Sequence, residues 1–200
     1  KEYDAKKRMQ RGVFYTPRPV VSYIVRSVDE LLRTEFGLAD GLADRTTWGE
    51  MAARHADLVI PEGVPEDEAF VQILDPAVGT ATFLVETIDV IYGTMVAKWK
   101  AQGHGRAQIE GLWNAYVPKD LLRRLYGYEL MMAPYAIAHL KIGLKLYETG
   151  YRFESDERVR VYLTNALEPA SDVGQLGLTG VMPALAHEAM AVNEVKRRVR

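Results

Sequence analysis

The chain has 200 residues, of which 48% are hydrophobic, and a formal net charge of −2 at neutral pH. This length and composition suit one globular unit with a sizeable core. The chain contains no cysteine, which excludes disulfides, thiolate nucleophiles and cysteine metal sites, and agrees with an expected cytoplasmic location.

The sequence also disfavours a membrane span, a metal site and a free-standing DNA-binding domain. No stretch approaches the roughly 18 to 20 apolar residues of a membrane span, so no membrane partner is expected. No metal site is expected, because the four histidines are scattered singly: His55, His104, His139 and His187. A free-standing DNA-binding domain is usually basic, so DNA contact would need a local patch or another part of the protein. The basic clusters at 6–11 and 196–200 are interpreted as solvated faces in preference to phosphate tracks.

The first structural feature is a loop that leads into a helix. Residues 12–19 read GVFYTPRP, where Pro17 and Pro19 keep the preceding residues extended. Apolar residues at helical spacing then predict a helix packed along one stripe: Val20, Val21, Ile24, Val25, Val28, Leu31 and Leu32. From the residues alone, Phe14 and Tyr15 would be core aromatics and Thr16 a helix N-cap.

The next segment is less regular and acidic. Glycines and prolines interrupt residues 33–70, and a run of acids extends from Glu62 to Glu68. We predict a short helix within residues 48–58 and an insertion at the edge of a sheet, whose acidity argues against DNA contact. The expected division is therefore an arm and helix at 1–35, an acidic insertion at 36–70 and an α/β domain at 71–200.

Residues 71–86, VQILDPAVGTATFLVE, are the stretch that most clearly indicates a ligand site. They predict a buried strand, a small-residue turn over residues 75–80 and a helix from about Thr82. At such a turn the strand end, exposed backbone N–H groups and the helix N-terminus converge.

The residues of this turn restrict which ligand it could hold. Only Gly79 is present where a dinucleotide fold has G-x-G-x-x-G, and the phosphate-binding G-x-x-x-x-G-K-[ST] pattern is absent. Asp75 could instead accept hydrogen bonds from a cationic amino group, while Gly79 would let an uncharged part of the ligand approach the backbone. A tight turn without any ligand is the alternative.

The remaining elements alternate between helices and strands, which predicts an α/β fold with a parallel sheet. An amphipathic helix follows the turn, a second strand at 125–130 ends near Glu129, and an apolar helix spans 132–148. His139 on that helix is interpreted as a core histidine bonded to backbone. A third strand at 159–163 precedes Asn165, and a last helix is expected at 183–199.

DPAVGTATFL resembles motif I of the S-adenosylmethionine-dependent methyltransferases, and is similar to that of the N6-adenine DNA methyltransferases of restriction-modification systems. The resemblance implies a Rossmann-like fold with three layers, αβα, and S-adenosyl-L-methionine as cofactor. It also implies cofactor contacts from Asp75, Ala77, Gly79 and Thr80.

The N-terminal loop resembles a second motif of that family. GVFYTPRPVVSYIV is similar to motif X, whose loop closes over the methionine part of the cofactor, and this implies contacts from Phe14, Tyr15 and Thr16. A motif X that precedes motif I corresponds to the γ-type motif order.

The ends of the second and third strands complete the implied site. In the family an acid ending the second strand binds the ribose hydroxyls, which points to Glu129 with Leu130, and a polar residue after the third strand meets the adenine, which points to Asn165 with Ala166. Glu129 follows Gly79 by 50 residues, whereas the usual spacing is about 20. A surface carboxylate at Glu129 and a turn-forming Asn165 are the alternatives.

One motif of the family is missing from the chain. Its members transfer the methyl group with a [DNS]-P-P-[YFW] loop, and this sequence contains no Pro-Pro pair. We therefore expect no catalytic residue in these 200 residues and an incomplete sheet.

The pattern as a whole is most similar to the methyltransferase part of large single-polypeptide restriction enzymes. That resemblance implies DNA as a partner, and nuclease, helicase and target-recognition domains on the same parent chain. The alternative function is a non-catalytic scaffold with this fold. A nicotinamide oxidoreductase is disfavoured by the absent glycines.

Overall fold

The structure is a computed structural model that describes residues 16–170 and 183–198, with backbone only for 183–187. Secondary structure follows the expected alternation, and the boundaries lie close to those expected from the sequence. The elements are α1 (Arg18–Thr34), a 3-10 turn (Gly41–Ala43), α2 (Trp48–Arg54), β1 (Ile73–Asp75), α3 (Thr82–Ala101), α4 (Arg106–Tyr116), a π-helical turn (Val117–Leu121), β2 (Leu125–Glu129), α5 (Met132–Glu148), β3 (Arg160–Leu163) and α6 (Pro183–Arg198).

The three strands form one parallel sheet in the order β1-β2-β3. In this sheet Asp75 lies opposite Gly127, Gly127 opposite Val161, and Glu129 opposite Leu163. The prediction of an α/β chain with a parallel sheet is thus confirmed for the described residues.

Helices cover both faces of the sheet, because alternate strand residues point to opposite sides. Leu125 and Val161 face the main core, which α1, α3, α4 and α5 share. The tyrosines on the other face pack against α6. His139 on α5 is half-buried and bonds through Nε2 to the carbonyl of Val161 at 3.2 Å, which confirms the expected bond to the backbone.

Helix α1 forms where expected but buries less than its sequence stripe predicts. Only Val21 and Val25 are buried, whereas other apolar members of the stripe, and Tyr23 at 74% exposure, face outward. The periodicity identifies the helix correctly, but burial also requires a neighbour on that side.

None of the described helices is long and apolar enough to cross a membrane.

The segment at 36–70 is fastened to the strands by a buried arginine. Arg124, just before β2, is 2% exposed and donates hydrogen bonds to the carbonyl of Asp44 and to the Tyr116 hydroxyl. Tyr116 in turn donates to the carbonyl of Ala43 at 3.0 Å. This segment therefore packs against the amino end of β2 and contributes Leu42 and Ala43 to the main core. The division into three sequence segments stays a prediction.

We expect Gly127→Val to lower the free energy of unfolding by about 1 to 3 kcal/mol, because it adds volume to a filled space. A Cβ at this position would lie 3.1 Å from Val78 Cγ2 and 3.2 Å from Val161 Cγ2. Urea denaturation measures the difference. In the control Gly93→Val, at an exposed position of α3 where an added Cβ would meet no neighbouring group within 4 Å, the change should stay below about 1 kcal/mol. Equal effects of the two substitutions would contradict the close packing at Gly127.

Candidate functional site

The carboxylates of Asp75 and Glu129 lie at the carboxyl ends of neighbouring strands. Asp75 ends β1 and is paired with Gly127, and Glu129 ends β2 two residues later. Paired residues in adjacent parallel strands share a face, and so do residues two apart in one strand. Both side chains therefore project from the same face of the sheet.

The turn after β1 is held over β2. Val78 N donates a hydrogen bond to the Tyr128 carbonyl at 2.8 Å, and the Val78 side chain packs on Gly127. Gly79 and Ala81 adopt positive φ values of 54° and 61°, a conformation that glycine tolerates and alanine seldom adopts. A Cβ on Gly79 would meet only the Ala77 carbonyl oxygen, at 4.0 Å, so the space beside this glycine is open.

Only one of the two carboxylate oxygens of Asp75 accepts a hydrogen bond in the structure. Its Oδ1 accepts a hydrogen bond from Ala77 N at 3.1 Å, whereas the buried Oδ2 has no hydrogen-bond partner in the structure. Burial, followed by the nearby charge of Glu129, raises the pKa of the Asp75 carboxyl, and the bond from Ala77 N opposes that rise. The charge of Glu129 reaches Asp75 because the two side chains project from neighbouring strand ends on the same face of the sheet.

Glu129 is 8% exposed and is oriented by the start of the next helix. Its Oε1 accepts a hydrogen bond from Met131 N at 2.8 Å. The backbone carbonyl of Glu129 accepts from Thr164 N at 2.8 Å, which ties the end of β3 to the same place. The alternative of a freely exposed surface carboxylate is therefore wrong.

Asn165 and Ala166, the predicted site residues after β3, belong to a local turn. Asn165 Oδ1 accepts from Leu167 N at 3.0 Å, and its Nδ2 donates to Glu168 Oε1 at 3.1 Å. Its amide thus stabilises a local turn, as the alternative interpretation holds. Ala166 lies exposed in the same turn, and Leu130 is exposed after β2.

The N-terminal loop is described only from Thr16 onward. Thr16 is exposed, and Pro17, not Thr16, is the N-cap residue of α1. The interpretation of Thr16 as a helix cap is therefore wrong. Phe14 and Tyr15 lie outside the described residues, and their implied cofactor contacts stay predictions.

Sequence analysis missed Lys141, which reaches the turn from α5. Its Nζ donates hydrogen bonds to Thr80 Oγ1 and Thr82 Oγ1, both at 3.4 Å. The only signal in the sequence is a charged residue within an apolar helix, and such a residue usually points to solvent. The fold decides otherwise because α5 runs alongside the start of α3.

Two cavities of the described part have contrasting linings. One of about 1200 Å³ lies at the amino ends of the strands, away from the candidate site, and has equal numbers of acidic and basic side chains. The other, of about 540 Å³, is mainly apolar and runs between α1 and the free edge of β1 to Asp75 and Pro76. No group of three or more His, Asp or Glu residues in the described ranges is arranged to hold a metal ion.

Comparison with known proteins gave matches only among solved structures. No protein-family model and no curated protein matches the chain. A structure of DrdV in complex with DNA matches with a TM-score of 0.54 and 26% identity, over 96% of this chain and 14% of that chain. A nuclease-deletion mutant of the Type ISP restriction-modification enzyme LlaGI, in complex with a DNA substrate mimic, matches with a TM-score of 0.50 and 22% identity, over 92% and 11%.

A third similar structure is the ATP-dependent Type ISP restriction-modification enzyme LlaBIII bound to DNA. It matches with a TM-score of 0.47 and 25% identity, over 76% of this chain and 8% of that chain. The likeness in sequence therefore rests on DrdV, and the match to LlaGI concerns the fold alone. The chain spans 8 to 14% of the length of these three proteins.

We expect Asp75→Asn to be more stable than the wild type at neutral pH. Since the pKa of Asp75 is raised in the folded chain, the carboxyl favours folding while protonated, and that contribution is lost as pH rises through the folded-state pKa. Denaturation at a series of pH values should show the difference shrinking below the unfolded value of 3.8. The exposed control Asp156→Asn should show no such pH-dependent gain.

Proposed function

We propose that this chain is the S-adenosyl-L-methionine-binding part of a site-specific DNA N6-adenine methyltransferase from a restriction-modification system. The observation that carries the proposal is the convergence of Asp75 and Glu129 beside the Gly79 turn. A Rossmann-like methyltransferase fold belongs to the same proposal. It is supported by three parallel strands in sequence order with helices on both faces.

The groups present at the turn fit this cofactor chemically. Asp75 Oδ2 is a buried acceptor without a partner, which the ammonium group of the cofactor would satisfy. Glu129, fixed through Met131 N, would accept hydrogen bonds from the ribose hydroxyls. The open space at Gly79 would admit the ligand against the backbone. The cofactor itself supplies an electrophilic methyl group, and these residues would bind and orient it.

DNA as a partner is proposed from the family resemblance and from DrdV, and the restriction-modification context is proposed from the resemblance alone. DrdV was solved with DNA and shares 26% identity over 96% of this chain, which corresponds to 14% of DrdV. By the same resemblance, the nuclease, helicase and target-recognition domains of the parent protein would lie in other parts of a longer chain. Adenine N6 as the target rests on the likeness to motifs I and X.

We propose that binding of the cofactor and transfer of its methyl group use different parts of the protein. The exocyclic amine of adenine is a poor nucleophile, and the family positions it with a Pro-Pro loop that this sequence lacks. Residues 1–200 alone should therefore transfer no labelled methyl group from S-adenosylmethionine to DNA. Robust transfer by these residues would contradict this division.

We expect Asp75→Asn and Glu129→Gln in the full-length protein each to weaken S-adenosylmethionine binding by about ten- to a hundredfold, because each removes a charged acceptor. Isothermal titration calorimetry measures the change. Since Asp75→Asn should not lower stability at neutral pH, its loss of affinity could not be attributed to unfolding.

The matched controls are Asp156→Asn and Glu154→Gln, at exposed positions away from the turn. They should bind the cofactor as the wild type does. If both Asp75→Asn and Glu129→Gln bind S-adenosylmethionine as tightly as the wild type does, the proposed function is wrong.

A non-catalytic scaffold is the second candidate, and one surface favours it. Helix α5 exposes apolar side chains at helical spacing along its length: Ile137, Leu140, Leu144 and Tyr147. Contiguous exposed apolar surface is typical of protein contacts. The same titration separates the candidates, because a scaffold should give no saturable heat with S-adenosylmethionine.

A further inference from the structure

Lys141 places an ammonium group beside the turn that follows β1. The side chain is half-buried, and its Nζ donates hydrogen bonds to Thr80 and Thr82, both at 3.4 Å. Thr80 belongs to the turn and Thr82 is the first residue of α3. An ammonium group has three donors, so one remains for a further acceptor.

A second cation approaches the same place from α1. Burial of Lys141 lowers its pKa, and the nearby charge of Arg18, the first residue of that helix, lowers it further. Neither residue forms an ion pair with a carboxylate in the part of the chain that the structure describes. Two cations near each other without an anion repel each other, and partial burial weakens their screening by water.

The next lysine on the same helix shows the contrast. One turn later, Lys145 Nζ forms ion pairs with Asp89 Oδ1 and Glu148 Oε2, both at 3.0 Å. These partners raise the pKa of Lys145, whereas the pKa of Lys141 is lowered. Lys145 therefore has one anionic partner on α3 and one on α5, whereas no ion pair to Lys141 is formed within the described residues.

The charges around the turn form two groups of opposite sign. The acids Asp75 and Glu129 lie at the strand ends, Lys141 lies where the turn meets α3, and Arg18 is near Lys141. A ligand with an ammonium and a carboxylate attached to the same carbon atom would complement both groups.

We propose that Lys141, assisted by Arg18, binds the carboxylate of the amino-acid end of the ligand held at this turn. The inference rests on the proposed function, in which that ligand is S-adenosylmethionine. Lys141 would select for an intact amino-acid end and fix its orientation while Asp75 accepts from the ammonium group. It takes no part in a bond-breaking step.

The test compares S-adenosylmethionine with its decarboxylated form, which keeps the amine and the sulfonium. In calorimetry on the full-length wild type, S-adenosylmethionine should bind about tenfold more tightly than the decarboxylated form, and added salt should reduce this preference. Lys141→Met should abolish the preference by weakening only the binding of S-adenosylmethionine. Lys145→Met is the matched control, and it should leave the preference unchanged because Lys145 already has two carboxylate partners.

The outcomes separate this inference from the proposed function on which it rests. If the wild type binds S-adenosylmethionine without preferring the carboxylate, or if Lys141→Met weakens both ligands equally, the assignment of Lys141 is overturned and the cofactor site survives. If the wild type binds neither ligand, the proposed function fails as well. If Lys141→Met does not fold, a wild type without the preference still overturns the assignment, and Lys141→Arg should retain the preference.

Discussion

The hydrogen bond from Val78 N to the carbonyl of Tyr128 holds the turn after β1 over the neighbouring strand, and the candidate site depends on this contact. β1 has only three residues, so few backbone hydrogen bonds to β2 hold its carboxyl end in place. The contact of Val78 with Gly127 adds a second attachment, and it exists because Gly127 has no side chain to separate the turn from the sheet. The separation of Asp75 from Glu129 then follows from strand register, which packed sheets hold firmly.

Electrostatics at the turn works against the stability of the unliganded fold. The buried Asp75 oxygen lacks a donor and lies near a second carboxylate, while Lys141 lies near Arg18 without an acid. Other charged side chains form ion pairs, as Lys145 does with Asp89 and Arg198 with Glu68. A buried acceptor without a donor beside charges of both signs is typical of a binding site, where a ligand supplies the missing partner.

Local pattern predicted the elements better than it predicted their burial. The three strands and α3 follow from apolar spacing, since a strand or helix imprints its own period on the sequence. The outward-facing residues of α1 could not be foreseen, because burial depends on which other element covers that stripe. Likewise, Asn165 offers an amide to any neighbour, and only the folded turn shows that Leu167 N and Glu168 are its present partners.

The sequence by itself determined the α/β class, the turn with its Asp75 and Gly79, and Glu129 at the end of the second strand, because these are properties of short contiguous stretches. Only the tertiary structure decided that the two acids share a face, that Gly127 lies beneath the turn, and that Lys141 reaches Thr80. Each of those facts joins residues from different elements. The packing of helices on the sheet brings them together, and no periodicity along the chain records that packing.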